Sequence, residues 1–260
     1  MSLTDFYWIF AFTVFFSVHP IGMEKHKQDN IKIYYHKEAI PNDTILCKFI
    51  NKAEGMIVDN GFKLPNKRQT IFLCNSKREF KIKALTFRNI VKGKNFFFLN
   101  RLYLREADLE KDEIASSYPG IFNNKQYSGV IAHELMHSHE KEKTGIIKFI
   151  FSPKWKKEGE AEYITGTTAQ KTEIAMPLYL NGIKYIDTLQ CKKRHWKRTN
   201  PYWRGRLRTD YLFNYKHITE DEFWKTHYKK DELDEEIRGA IKRGDYIFDN
   251  FVFQDTLTNE

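Results

Sequence analysis

The chain has only three cysteines in 260 residues, no internal repeat and no low-complexity tract. Cys47, Cys74 and Cys191 are too few and too scattered for a disulfide framework or a cysteine-built metal site, and their apolar or basic surroundings predict small core residues. Uninterrupted hydrophobic sequence is also scarce. Residues 6–18 are almost wholly apolar, and Ile21 and Met23 extend the run to eighteen residues across His19, Pro20 and Gly22. Such a stretch suits a signal-peptide core or just suffices to span a bilayer. No small-x-small cleavage site follows it and no basic stretch precedes it, Asp5 standing there instead. An uncleaved membrane anchor, a cleaved signal and a buried helix all stay open, and the anchor makes the protein membrane-associated. The lysines that follow (Lys25, Lys27, Lys32) favour a cytoplasmic domain by the positive-inside rule, whereas a signal peptide would put the domain outside.

Acidic residues are the minority, 34 against 43 lysines and arginines, for a net charge of +9. The excess is uneven: residues 192–208 hold eight Lys or Arg and no acid, with Trp196, Tyr202 and Trp203 interleaved. A solvated basic face, a strip for anionic lipid, a grip on an acidic substrate and a nucleic-acid footprint all fit that composition. Lipid ranks ahead of nucleic acid because of the N-terminal apolar run.

The chemistry concentrates in His133-Glu134-Leu135-Met136-His137. Val130, Ile131 and Ala132 lead into it, so the stretch reads as a buried amphipathic helix. One helical turn separates the histidines, which places both imidazoles on one face, where they can bind one metal ion. Glu134 lies one step round, within reach of a water at that metal. A catalytic zinc needs a third protein ligand. Glu140 and Lys143 occupy the positions where a metzincin carries glycine and histidine, and His139 points away from the pair. Twenty residues beyond His137 comes Trp155-Lys156-Lys157-Glu158-Gly159-Glu160-Ala161-Glu162-Tyr163. Glu158 and Glu162 share a helix face: Glu158 can complete the shell, and Glu162 can accept the second N–H of a ligand histidine. Glu160 points elsewhere. Burying two imidazoles and two carboxylates without partners would cost several kcal/mol, so one Zn2+ per chain is the economical reading.

These segments resemble the gluzincin metallopeptidases, the class of thermolysin and aminopeptidase N. The family's first motif corresponds to His133-Glu134-x-x-His137, and its W-x-x-E-G-x-A-x-Y motif to Trp155 through Tyr163. Pro201-Tyr202-Trp203-Arg204-Gly205 is similar to the P-Y-x-K-G segment of the aminopeptidase-like members, although Arg206, Arg208, Thr209 and Asp210 replace mostly apolar residues. The G-x-M-E-N segment that grips a substrate's free amine is absent upstream, so exopeptidase action is not implied. The resemblance implies peptide-bond hydrolysis with Glu134 as general base and Tyr202 as oxyanion donor, Tyr211, Tyr215 and His217 being alternatives in the same stretch. It further implies a substrate strand shortly before the zinc helix. Residues 95–104 are β-rich, and Phe96, Phe97 and Phe98 would line that edge, or else belong to a core strand.

The expected fold is α+β. A hydrophobic N-terminal segment (1–23) and a linker (24–30) precede a peptidase domain (31–170), whose small mixed sheet packs on the zinc helix, and a mostly helical part (171–260) completes the site. Strands are expected at residues 31–36, 70–74 and 95–104. Helices are expected after Asp43, ending before Gly61, and from Asp231 to a stop at Gly244, with a capping box at Thr219 and Glu222. The rival reading is a non-proteolytic zinc-containing basic protein that binds anionic lipid or nucleic acid. The presence of Glu134 and the absence of a nearby cysteine to close a structural site favour the peptidase.

Overall fold

The computed structural model describes residues 20–39, 43–86, 92–96, 98–109, 111–114, 125–166, 168, 172–181 and 193–250. The apolar run at 6–18, Phe97 and Cys191 lie outside them. Among the described residues no helix is long and apolar enough to cross a membrane. The chain is mixed α and β and divides into two compact units, Met1–Phe149 and Ile150–Glu260.

The first unit is built on a five-stranded sheet of β1 (Glu24–Gln28), β2 (Ile31–Tyr35), β3 (Gln69–Leu73), β4 (Gly93–Phe96) and β5 (Arg101–Leu104), in the order β1-β2-β3-β5-β4. The two central pairings are parallel and the two outer ones antiparallel. Period-two alternation sets the faces. Ile31, Ile33, Ile71 and Leu102 are buried. On the alternate positions Tyr34, Phe72 and Tyr103 stack rung by rung, with centroids 5.1 and 4.8 Å apart, and Phe96 meets Tyr103 edge-on. Phe80, from helix α2 (Lys77–Lys83), belongs to that aromatic layer. Cross-strand aromatic pairs of this kind hold register as well as burying area.

Helix α1 (Asp43–Asp59) forms where expected: Leu46, Ile50, Ala53 and Ile57 recur at helical spacing and are all buried. Residues 95–104, expected as one strand, fold instead as the β4–β5 hairpin. The chain reverses there, with Leu99 N–H bonding to Phe96 C=O and Asn100 at a positive φ of 48°. Asparagine tolerates this conformation through its short polar side chain.

Two short strands, β6 (Glu113–Ile114) and β7 (Lys125–Gln126), pair ahead of helix α3 (Tyr127–Thr144). Gln126 makes no side-chain cap at the start of α3. Asp112 does the capping from the loop: its carboxylate accepts from Ser128 N–H at 2.8 Å and Ser128 Oγ at 2.7 Å, and its C=O takes Tyr127 N–H. Lys52 of α1 holds Asp112 in place at 2.6 Å. A carboxylate at a helix N-terminus also opposes the positive end of the helix dipole. Helix α3 stops at Gly145, whose φ is +80°, and a short helix α4 (Ile146–Phe151) follows.

The second unit is helical: α5 (Lys154–Thr165), α6 (Thr172–Leu180), α7 (Lys193–Asp210) running into a π-turn at Tyr211–Tyr215, α8 (Glu220–Lys225) and α9 (Lys230–Lys242). The capping box forms as expected, Thr219 Oγ1 accepting from Glu222 N–H while the Glu222 carboxylate takes Thr219 N–H. Trp155, Met176, Tyr179, Trp203, Leu207, Phe223 and Ile237 fill the core. The basic strip does not behave as a solvated face over its described side chains. Arg206 and Arg208 are buried, with Arg206 paired to Asp249 and Arg208 gripping Asp234 through Nε and Nη2 at 2.8 and 2.7 Å. Fork-to-carboxylate pairing is what makes buried guanidinium charge tolerable.

Helices α5 and α7 approach most closely where Gly159 faces Gly205. A Cβ on Gly159 would lie 2.6 Å from the Gly205 carbonyl oxygen and 2.7 Å from Thr209 Oγ1. The backbone oxygen cannot give way as a side chain would. Gly159→Ala is therefore expected to destabilise this unit by about 1–3 kcal/mol through forced helix separation, read as a lowered denaturation midpoint with unchanged helix content by circular dichroism.

Candidate metal centre

Helix α3 is held from one side by hydrogen bonds and carries its histidines on another. Ser138, fully buried, donates to Gln69 Oε1 of β3 at 2.9 Å and accepts from Asn95 Nδ2 of β4 at 2.9 Å. Asn95 also donates to the Glu134 carbonyl at 2.7 Å. One turn further on, Glu142 accepts the backbone N–H groups of Asn66 and Lys67 at 2.7 and 3.0 Å. Positions 134, 138 and 142 form one stripe at helical spacing, and that stripe faces the sheet.

His133 and His137 leave a neighbouring face, their rings 4.8 Å apart and nearly perpendicular. His133, His137 and Glu158 form a group that could hold a metal ion: each offers one ligand atom, and these atoms lie within 4.8 Å of one another. All three are partly accessible. Two imidazole nitrogens and a carboxylate are the donor set of an open catalytic zinc site. His139, by contrast, packs edge-on against Phe62 at 6.3 Å and belongs to the core, as its position on the helix predicts.

Glu140 contacts a candidate ligand histidine and was not singled out by the sequence pattern. Its carboxylate, with no solvent exposure, lies 2.8 Å from His137 Nδ1. With Nδ1 protonated and donating to Glu140, Nε2 of His137 is left with its lone pair to offer a metal. The signal was available: Glu140 follows His137 by three residues, a spacing at which helical side chains meet. Phe149 of α4 packs against the same imidazole, with ring centroids 6.3 Å apart. One neighbour fixes the ring's proton and the other its plane.

Glu134 is buried beside the start of the sheet's edge strand. A Cβ on Gly93 would sit 3.0 Å from both Cγ and Oε1 of Glu134, so the missing side chain makes the room for the carboxylate. The strand Gly93–Phe96 lies at the end of the sheet among the described residues. Of the expected edge residues, Phe96 closes the strand with its ring turned to the aromatic layer, where Lys94 Nζ stands 4.6 Å from its centroid. Phe98 falls in the hairpin turn and is 66 % exposed. Phe96 thus lies on the edge strand, and Phe98 lies past its end, where the chain reverses.

The remaining expected residues are on helices of the second unit. Glu162 is buried on α5. Glu160 accepts from Trp224 Nε1 at 3.1 Å and is a core anchor, as its different helix face implies. Tyr202 is half-buried on α7, with Lys154 Nζ 5.0 Å from its ring centroid. Of the alternatives, Tyr211 is buried in the core, stacked on Tyr215 at 4.9 Å, and His217 is exposed.

No protein-family model matches the chain, and no curated protein matches it. The case for the site is therefore carried by its own residues. Because Glu140 is the partner found on His137, Glu140→Gln is expected to weaken zinc binding by about 10- to 100-fold. Competition titration against a chromophoric chelator measures this, with circular dichroism checking that the helix content is kept.

Proposed function

We propose that the protein is a zinc-dependent metallopeptidase of gluzincin type, an endopeptidase acting on peptide or protein substrates. The observation that carries the reading is the His133, His137 and Glu158 group, with ligand atoms within 4.8 Å of one another, its two histidines on a helix whose Glu134 is buried beside an edge strand. His133, His137 and Glu158 would hold one Zn2+, and Glu140 would orient His137. Bound zinc would supply Lewis acidity toward the scissile carbonyl and toward an attacking water.

The chain's own groups do the rest. An extended substrate pairs along β4, whose outer backbone N–H and C=O groups suit strand addition. Asn95 keeps that strand against α3, so the peptide lies across Glu134. Glu134 takes a proton from the water as it attacks and returns it to the leaving amine nitrogen. Tyr202 donates a neutral O–H to the developing oxyanion. Attachment to a membrane through residues 6–23 belongs to the same reading, and the exposed Ile147 and Phe151 of α4, 72 and 83 % accessible, are compatible with a nearby lipid surface.

The rival, a non-proteolytic zinc-containing basic protein that binds anionic lipid or nucleic acid, draws on the basic strip of residues 192–208, of which Arg206 and Arg208 are two. Their burial against Asp249 and Asp234 weighs against it.

Two variants separate metal binding from turnover. His137→Ala is expected to lose the metal, whereas Glu134→Gln keeps stoichiometric zinc and loses about a hundredfold or more in turnover. Elemental analysis beside a proteome-derived peptide-cleavage profile reads both. Stoichiometric zinc in His137→Ala would reject the ligand set, and undiminished cleavage by Glu134→Gln would reject the base. Tyr202→Phe keeps the ring and should lower turnover on the order of a hundredfold with little change in KM. Near wild-type turnover in that variant would reject Tyr202 as the donor.

A further inference from the structure

A second group of reactive side chains lies on the first unit, on residues the metal centre does not use. Cys47, expected as a core residue, is only half-buried on α1. Its Sγ stands 3.5 Å from His26 Nε2 on β1. The other ring nitrogen of His26, Nδ1, is 3.0 Å from Asp43 Oδ2 at the first turn of α1. The second oxygen of Asp43 accepts from Tyr35 OH of β2 at 2.8 Å. Two elements, α1 and β1, thus bring a thiol, an imidazole and a carboxylate into one run of contacts, to which β2 adds the Tyr35 hydroxyl.

The packing explains why they meet. His26 and Gln28 are two apart on a strand and share one face. Cys47 and Asn51 are four apart on a helix and share another. The rises of two strand residues and four helix residues are similar, about 6.6 and 6.0 Å, so both pairs touch at once, Gln28 bonding to Asn51 as His26 does to Cys47. The sheet's outer strand β1 leaves the site at its margin. The His26 side chain is 17 % exposed.

The hydrogen bonds define a direction for a proton. Asp43 keeps its carboxylate ionised: the bond from Tyr35 and then that from His26 hold it below the usual carboxylate range, and the same contact pushes Tyr35 up to about 12. An ionised Asp43 accepts the Nδ1 proton of His26, which leaves the Nε2 lone pair facing Cys47 Sγ. A nucleophile within reach of a base, and the base oriented by a third group, is the general arrangement for an activated thiol.

We infer that Cys47, His26 and Asp43 form a reactive-thiol site that exchanges with small-molecule disulfides. Cys47 Sγ attacks one sulfur of the disulfide as its proton passes to His26 Nε2. A new S–S bond joins Cys47 to that half, the old S–S bond breaks, and the departing thiolate takes the proton from His26. Cys47 is oxidised to a mixed disulfide and the released half is reduced to a thiol, so no other reactant is needed. Cys47 is the nucleophile, His26 the base and Asp43 the positioning residue. Cys74 offers the contrast: it is buried, and burial with the nearby Glu79 charge pushes its thiol up. The inference is independent of the peptidase reading.

The test uses the full chain and 4,4′-dithiodipyridine, followed by thiopyridone release and by mass spectrometry of the Cys47, Cys74 and Cys191 peptides. Cys47 should react at least about tenfold faster in the native protein than in denaturant, corrected to free cysteine, and His26→Asn should remove that advantage. Asp43→Asn should lower the rate and Asp43→Glu should restore part of it, which a merely structural carboxylate would not do. Equal rates for all variants in denaturant tie the differences to the fold. A native Cys47 that reacts no faster than unfolded, or an undiminished rate in folded His26→Asn, would overturn the site. If His26→Asn fails to fold, Asp43→Asn against Asp43→Glu decides alone: equal rates in that pair reject the site.

Discussion

A helix that offers ligands to a metal has to be fixed against rotation, since turning it by one residue moves every side chain about 100°. In this protein that constraint is met by the buried bonds of Ser138 with Gln69 and Asn95. A polar group with no solvent exposure tolerates no loss of its partners, so the rotation of α3 is set more sharply than hydrophobic packing alone would set it. Glu134, one turn before Ser138, is placed beside Gly93 by the same bonds, and the two histidines follow from the helical period. Asn95 serves two purposes, because it is also a residue of the edge strand. The helix and the strand that would receive a substrate are therefore positioned by one side chain.

The second unit meets a different constraint. Glu158 sits on a helix whose next residue is glycine, and that glycine lies against Gly205 of α7. The motif residue Gly159 is explained by this backbone approach and not by any contact with a ligand. Arg206 and Arg208 of α7 complete the packing by pairing with Asp249 and Asp234 inside the unit. Each of these two pairs is neutral as a unit, so the net charge of +9 arises from other residues.

The two chemical groups share a plan. In each, a carboxylate on Nδ1 of an imidazole fixes the proton there and leaves the lone pair on Nε2. Glu140 does this for His137 and Asp43 for His26. The difference is in where the carboxylate comes from. Glu140 is three residues from its histidine on one helix, whereas Asp43 and His26 are brought together by strand and helix packing.

Periodic patterns alone determined much of this protein. The 3.6-residue repeat put His133 and His137 on one face, set the buried stripe of α1, and separated Glu158 from Glu160 on α5. Capping chemistry placed the start of α8, and glycine marked the ends of α1 and α9. These features depend on residues within a turn or two of each other, so the local sequence holds all the information. The hairpin at Phe98 was not legible, since residues 95–104 favour strand throughout and the reversal depends on Asn100 adopting a positive φ against β3. The pairing of Glu140 with His137 was permitted by their three-residue spacing on one helix, and side-chain direction decides that it forms. The inward turn of Arg206 and Arg208 required knowing that Asp249 and Asp234 would lie opposite. Cys47 looked like a core cysteine because nothing in the 21 positions separating it from His26 announces that β1 packs along α1. Contacts between distant segments are decided by which faces bury together, and only the tertiary structure makes that choice.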